Sequence, residues 1–312
     1  MKGRHRNHHA PVRVVVLGLF AVLAGSAKVE AQPRHGVWVS GVVPRSAGPC
    51  PSKTGLLDED PDADQLLGFC ATNPITEVYL SIGPQAGALF DPRFPNFIRR
   101  LKDSGLKVEA VVGCNGRPNC QGGTWKMRID QVKAYNDGAG ALERFDGIHL
   151  DLEPWVDTGT DFSWVDDLIA DYQYAAAALD GSGLTLAADI SGVKVISDMI
   201  DPQKRQALVD AATRLVLMEY EEGSVDRIYQ RVDTFRKAVD LSAASFTIAT
   251  RVQDFGIRNA CQNGTVLNGF DDNYTPALGY AGWATFKYSN SSDCNHYNDL
   301  SICPGDCCTI PR

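Results

Sequence analysis

The chain has 312 residues, of which 44% are hydrophobic and 22% are charged, and its formal net charge is −8. This composition excludes an intrinsically disordered protein, because it supplies enough apolar residues for a sizeable core. The acidic balance argues against nucleic acid or an anionic membrane as a partner.

Residues 1–31 have the pattern of a secretory signal peptide. A basic stretch, MKGRHRNHHAPVR, precedes the apolar run VVVLGLFAVLAG, which is too short to span a bilayer. Small side chains follow at Val29 and Ala31, at the spacing of a cleavage site. The alternative is a buried N-terminal helix. Without this segment the net charge becomes −12, because it holds five basic residues and one acidic residue. We predict a secreted protein with no membrane contact after cleavage.

All nine cysteines follow the predicted cleavage site, where export would favour disulfides. The sequence CNGRPNC closes a short loop and predicts a bond between Cys114 and Cys120. Order along the chain favours Cys50 with Cys70. The tail SICPGDCC adds three more, and the odd count leaves one thiol free or paired between chains. The alternative is a metal site formed by CPGDCC with His296.

Eight short runs rich in β-branched residues recur along the chain, and helical patterns separate most of them. Such alternation indicates parallel strands with helical crossovers, and eight units favour a (β/α)₈ TIM barrel over an open sheet. We therefore predict one α/β domain over residues 32–312, ending in a cysteine-rich tail. The predicted strands cover 36–43, 75–83, 106–113, 147–153, 184–191, 214–220, 245–252 and 280–288.

Three segments carry the clearest helical patterns, at 94–105, 163–181 and 224–239. The second opens with a capping-box pattern from Ser163 to Asp166. The last βα units are irregular, because the segment between the seventh and eighth strands looks more like a loop than a helix. Too little chain follows the eighth strand for a full helix.

Motifs of several other enzyme classes are missing from the sequence. No glycine-rich phosphate loop follows a strand, GxSxG does not occur at a strand-to-helix turn, and HExxH is absent. We therefore expect no cofactor and no catalytic metal. We expect a monomer.

The fourth predicted strand, in the segment FDGIHLDLEPW, combines an apolar face with a titratable one. Alternation places His149, Asp151 and Glu153 on one side and apolar residues on the other. In a barrel the apolar side meets the helices, so the titratable side points inward and Glu153 reaches the C-terminal mouth, where barrel enzymes hold their sites. Crowded, buried carboxyls raise one another's pKa, and a carboxylic acid that stays protonated near neutral pH can protonate a leaving oxygen.

The stretch DGIHLDLE resembles the DGxDxDxE strand of glycoside hydrolase family 18, the chitinases and endo-β-N-acetylglucosaminidases. Asp146, Asp151 and Glu153 match the first aspartate, the last aspartate and the catalytic glutamate of that motif. A second stretch, LVLMEYEE, resembles the family's MxYD strand through Met218 and Tyr220. The eight-strand order agrees as well, so the resemblance extends over most of the mature chain, although only these two motifs are specific.

The resemblance implies a function and a set of roles. Glu153 would be the general acid, Asp151 would orient the N-acetyl group of the substrate, and Tyr220 would hold the acetamido oxygen. That oxygen would attack the anomeric carbon, so the protein would supply no nucleophile. The partner would be an N-acetylhexosamine-containing glycan, bound with help from Asp146 and Met218.

Three departures from the family pattern leave other functions open. His149 replaces the middle aspartate and could hydrogen-bond or ion-pair with Asp151. Glu221 is one carbon longer than the expected aspartate. The family's tryptophan beneath the bound sugar has two possible counterparts here, Trp283 and Phe286. One alternative is a glycosidase of other sugars with Glu221 as nucleophile. Another is a barrel that only binds carbohydrate or inhibits another enzyme.

Two further residues are candidates for substrate binding at the mouth. Asp189 closes the fifth predicted strand, and Trp155 follows Glu153 after one proline. A tryptophan in this place either stacks on a sugar or packs on the next helix, and an aspartate either binds the ligand or orders a loop.

Overall fold

The fold is that of a computed structural model. It describes residues 33–40, 57, 60–156, 158, 161–195, 197, 200–212, 214–219, 224–251, 267, 269–274, 277 and 279–289. These residues belong to one compact unit, Gln32–Arg312. The predicted signal peptide and the cysteine-rich tail lie outside the described residues. No helix in the described part of the chain is long and apolar enough to cross a membrane.

Parallel strands close into a barrel in chain order, which confirms the predicted (β/α)₈ TIM barrel. Each strand pairs with the next, and the first pairs with the last. The strands are β1 (Arg34–Ser40), β2 (Glu77–Ser81), β3 (Lys107–Asn115), β4 (Gly147–Glu153), β5 (Thr185–Ile190), β6 (Arg214–Met218), β7 (Ser245–Arg251) and β8 (Tyr280–Ser289).

Helices follow most strands and pack on the outside of the barrel, at positions that include the three predicted helical segments. The α-helices up to the end of β6 and the one after it are α1 (Asp60–Thr72), α2 (Phe94–Asp103), α3 (Arg117–Gln121), α4 (Thr124–Gly138), α5 (Trp164–Leu179), α6 (Gly192–Val195), α7 (Pro202–Asp210) and α8 (Val225–Ala238). Residues 269–274, between β7 and β8, are also helical. In the described residues, two 3₁₀ helices lie in connections: Pro84–Phe90 between β2 and α2, and Ala141–Glu143 between α4 and β4.

Helix α2 shows how the sequence pattern produces the outer layer. Its proline in the first turn suits a helix start, and Phe94, Phe97, Ile98 and Leu101 recur on one buried face. Burial of each of these side chains contributes about 2 kcal/mol to the free energy of folding. The outward faces of the strands supply the other half of this apolar layer.

Two local expectations were wrong. Residues 269–274 are helical where the sequence favoured a loop, because Phe270 and Tyr274 are buried against Tyr229 of α8. The side chain of Ser163 does not cap α5. Its hydroxyl instead accepts a hydrogen bond from Arg117, at 2.5 Å.

Candidate functional site

The inward face of β4 carries the three titratable residues, as its alternation predicted. Ile148, Leu150 and Leu152 are fully buried in the outer apolar layer, on the opposite face of the strand. His149 lies deepest, with no exposed surface, and the strand ends at Glu153. The C-terminal end of the barrel therefore presents Glu153, with Asp151 one inward position below it.

Glu153 is a half-buried carboxyl whose surroundings raise its pKa. Burial raises its pKa, and the carboxylate of Asp189 raises it further, whereas Arg251 at the end of β7 lowers it. Its Oε2 lies 3.5 Å from the side-chain nitrogen of Asn115, which pairs with Glu153 across β3 and β4. The net effect favours the protonated form above the pH at which an exposed glutamate ionises.

Asp151 is the second carboxyl of the site and is held in a tight space. Its Oδ1 is buried and has no hydrogen-bond partner among the described residues. Gly113 makes this packing feasible, because a Cβ there would lie 2.6 Å from the carbonyl oxygen of Asp151. Burial raises the pKa of Asp151 well above its usual range, and the carboxylates of Asp189 and Glu153 add to that effect. Protonation would turn this carboxyl into a hydrogen-bond donor beneath Glu153.

His149 pairs with different residues from the one predicted. Its Nε2 lies 2.5 Å from Oδ1 of Asp189, and its Nδ1 lies 3.3 Å from Oε2 of Glu109. The expected pairing with Asp151 is therefore wrong. Burial alone would lower the pKa of His149, but the charge of Asp189 and the hydrogen bonds to both carboxyls raise it to about 9. The imidazolium is thus a buried cation near neutral pH.

Asp189 lies between the His149 cation and the two carboxyls of β4 in its electrostatic effects. It is buried on β5, and its Oδ2 has no hydrogen-bond partner within the described part of the chain. Burial raises its pKa, whereas His149 lowers it. Because its charge acts on both Asp151 and Glu153, Asp189 helps to keep those two carboxyls protonated.

Below His149 the barrel interior holds an ionic layer that sequence reasoning largely missed. Arg214 pairs with Glu109, and its Nη1 lies 3.3 Å from Oε2 of Glu77. The hydroxyl of Tyr79 donates to the same Glu77 oxygen at 3.1 Å. The signal was present as polar residues at alternate positions of otherwise apolar strands, but Arg214 and Glu77 stand at strand starts, where charges usually indicate solvent.

Two predicted substrate-binding residues lie elsewhere. Asp146 precedes β4 at the opposite end of the barrel, where it accepts hydrogen bonds from Lys102 and from the amide of Val108. Trp283 is fully buried on the outward face of β8 and stacks on His35 at 4.3 Å. These positions give Asp146 and Trp283 roles in the fold rather than at the mouth.

Trp155 and Met218 are both buried near the C-terminal end of the barrel. Trp155 packs edge-on against Trp164 of α5, with ring centroids 5.4 Å apart, so it follows the helix-packing alternative. Met218 ends β6 and belongs to the main apolar cluster. Tyr220 and Glu221 lie outside the described residues, as does the side chain of Phe286.

The predicted disulfide between Cys114 and Cys120 is present at the end of β3, beside Glu153. Cys70 is a buried free thiol, and its expected partner Cys50 lies outside the described residues. Among the described side chains, no group of three or more His, Cys, Asp or Glu is arranged to hold a metal ion.

A cavity of about 710 Å³ opens at the end of the barrel away from Glu153. His35, Thr76 and Leu106, which line it, stand at or just before the starts of β1, β2 and β3. His35 is already engaged by Asp271 at 2.7 Å and by the carbonyl of Pro74 at 2.8 Å. The chemistry of β4 and this cavity are therefore separate features.

Comparison with known proteins supports the fold at low sequence identity. Neither a protein-family model nor a curated protein matches the sequence. The structure is similar to a family 18 chitinase from Pseudoalteromonas aurantia, with a TM-score of 0.51 and 14% identity, over 82% of this chain and 94% of the other. A chitinase from Chromobacterium violaceum gives 0.51 and 13%, over 85% and 96%.

A third similar structure has a different activity. An active-site mutant of the Rhizomucor miehei β-1,3-glucanosyltransferase, in complex with laminaritriose, gives a TM-score of 0.51 and 10% identity, over 82% of this chain and 88% of the other. The feature that this chain shares with the three is the TIM-barrel fold. At these identities the comparisons establish the fold alone.

Proposed function

We propose that this protein is a glycoside hydrolase that cleaves β-linked N-acetylhexosamine glycans, with Glu153 as general acid. The observation that carries the proposal is a carboxyl at the C-terminal end of β4 whose pKa is raised by burial and by Asp189. Barrel enzymes hold their sites at this end. A carboxylic acid with this pKa can donate a proton to the leaving glycosidic oxygen near neutral pH.

Asp151 supports the choice of substrate. It lies below Glu153 on the same face, and its raised pKa keeps a proton available in a buried site. A protonated Asp151 can donate a hydrogen bond to the 2-acetamido group and orient that group's oxygen toward the anomeric carbon. In this substrate-assisted route the bond from the anomeric carbon to the leaving oxygen breaks as the acetamido oxygen attacks, and Glu153 protonates the leaving oxygen.

The proposal also gives roles to Tyr220 and Glu221, and these roles rest on the sequence alone. Tyr220 would hold the acetamido oxygen, as the resemblance implies. Glu221 separates two mechanisms, because a glycosidase without substrate assistance would need a second carboxylate as its nucleophile.

The decisive experiment compares hydrolysis of an aryl chitobioside by the wild type and by Glu153→Gln. We expect kcat/KM to fall by about 10²–10⁴, the usual contribution of a general acid. Glu143→Gln is a matched control, because Glu143 lies before β4 at the opposite end of the barrel and pairs with Arg99. It should leave turnover unchanged.

Other outcomes would select another function. Binding of chito-oligosaccharides without turnover by the wild type would indicate a non-catalytic barrel. Turnover of an aryl cellobioside, which lacks the 2-acetamido group, would contradict substrate assistance. If the wild type forms a covalent glycosyl-enzyme and Glu221→Gln forms none, Glu221 is the nucleophile.

We also propose that the protein is exported and acts outside the cell on a carbohydrate partner, as a monomer. The support is the sequence pattern of residues 1–31 and the disulfide between Cys114 and Cys120. N-terminal sequencing of the mature protein should begin at Gln32. Retention of residues 1–31 in exported protein would contradict this prediction.

A further inference from the structure

The loop that follows β3 is built against the proposed acid. Asn115, the last residue of β3, pairs with Glu153 across the sheet. Its side-chain nitrogen faces Oε2 of Glu153 at 3.5 Å, and the next amide, of Gly116, donates to the Glu153 carbonyl at 3.1 Å. Gly116 has φ 77°, a left-handed conformation that favours glycine. The turn therefore holds both the backbone and the side chain of Glu153.

Several independent contacts hold Asn115 in this place. The disulfide from Cys114 to Cys120 closes the turn on either side of it. The side chain of Asn119 donates to the Asn115 carbonyl at 2.7 Å. Trp125, which is fully buried, donates to the carbonyl of Cys120 at 3.1 Å and anchors the far end of the turn.

Arg117 ties the same turn to the segment that follows Glu153. Its Nε and Nη2 lie 3.2 and 3.0 Å from Oδ2 of Asp167 on α5, and its Nη1 reaches Asp161 and Ser163. The two connections that flank Glu153 are thereby joined by one guanidinium. Such a planar, multidentate contact orients the groups it joins better than a single point charge would.

We infer that Asn115 is a positioning residue for Glu153, and that its amide selects which oxygen of the carboxyl carries the proton. An amide N–H can only donate, so Oε2 acts as the acceptor and the acidic proton is left on Oε1. Hydrogen bonds at catalytic groups are often long before substrate binds and shorten in the complex. The disulfide and the contacts of Arg117 together form a clamp on this turn. The clamp holds Asn115 in position relative to Glu153.

The inference rests on the proposed function for its consequence in catalysis, but it has a test that needs no turnover. Protein labelled with ¹³C at the glutamate carboxyls allows the pKa of Glu153 to be followed directly, with its signal assigned by its loss in Glu153→Gln. Asn115→Ala removes a donor that favours the ionised form, so we expect the Glu153 pKa to rise. Asn115→Asp also places a second carboxyl at the site, and we expect a rise of more than one pH unit.

The matched control is Asn96→Asp, the same change of charge at an exposed position of α2. It should leave the Glu153 titration unchanged. In the hydrolysis assay Asn115→Ala should lower kcat about 10-fold with little change in KM, because the contact orients the acid rather than holding the sugar. An unchanged Glu153 pKa in both Asn115 variants, or an equal shift in Asn96→Asp, would overturn the inference.

The clamp is tested by a double-mutant cycle. Replacing both Cys114 and Cys120 with serine should raise the Glu153 pKa in the wild-type background and add little in Asn115→Ala, since both changes act through one contact. Fully additive shifts would show that the disulfide does not act through Asn115. If the wild type shows no turnover, the proposed function fails while the titration still decides the role of Asn115.

Discussion

The buried imidazolium of His149 should make the stability of this protein depend on pH in a defined window. Its pKa is raised from an ordinary value of 6.5 to about 9 in the folded protein. Between these values the native state holds a proton that the unfolded chain has released. The stabilisation is therefore complete below pH 6.5 and is lost as the pH rises through about 9.

The size of this effect follows from the two pKa values. One pH unit of difference corresponds to about 1.36 kcal/mol at 25 °C, so the full window is worth about 3 kcal/mol. No discount for solvent screening applies, because the His149 side chain is completely buried between Asp189 and Glu109. A contribution of this size is a large fraction of the stability of a typical domain.

The assay is guanidinium unfolding of the wild type and of His149→Gln at several pH values from 6 to 9.5. Glutamine is of similar size and does not titrate, and its amide can still contact both carboxyls. Titrations shared by the two proteins cancel in the difference between them. The wild type should lose about 3 kcal/mol more than the variant across the window.

Parallel stability curves for the two proteins would refute the reasoning. They would mean that His149 is neutral in the folded state and that Asp189 carries the proton instead. In that case the proposed source of the raised pKa of Asp151 and Glu153 would also fail, since it requires an ionised Asp189.

Two further changes test the interior packing. Arg214→Met should lower the free energy of unfolding by about 3–5 kcal/mol, because it removes the guanidinium that the buried carboxylates of Glu77 and Glu109 share; an effect below 1 kcal/mol would show that their other contacts, with Arg34 and His149, are sufficient. Gly113→Ala should cost about 1–3 kcal/mol and reduce turnover, because the new Cβ would meet the Asp151 carbonyl at 2.6 Å. Gly87→Ala is the control, since a Cβ there meets nothing within 4 Å, and equal losses in the two alanine variants would contradict the steric argument.

Local pattern was sufficient to predict the barrel and the face of β4. Period-two alternation in GIHLDLE places Glu153 at the end of the inward face, and that inference needs only neighbouring residues. The short loop between Cys114 and Cys120 was predictable for the same reason, because both partners lie within seven residues.

An irregular strand register explains why the alternation of β8 did not predict the direction of the Trp283 side chain. A shift in pairing occurs between β7 and β8 just before Trp283, and the resulting register places Trp283 beside His35 and Ile248. A one-residue shift reverses the face of every following side chain. For this reason the sequence could not show that Trp283 points outward, away from the proposed sugar site.

By itself, then, the sequence determined the architecture, the position of Glu153 at the end of β4 and the disulfide-closed loop, because each depends on a short-range pattern. Only the tertiary structure decided that His149 pairs with Asp189 and Glu109, which lie 40 residues away along the chain in either direction. Alternation assigns each inward residue to the barrel interior, but barrel closure determines which inward residues meet. The proton balance of the site therefore depends on contacts between strands, which no single strand specifies.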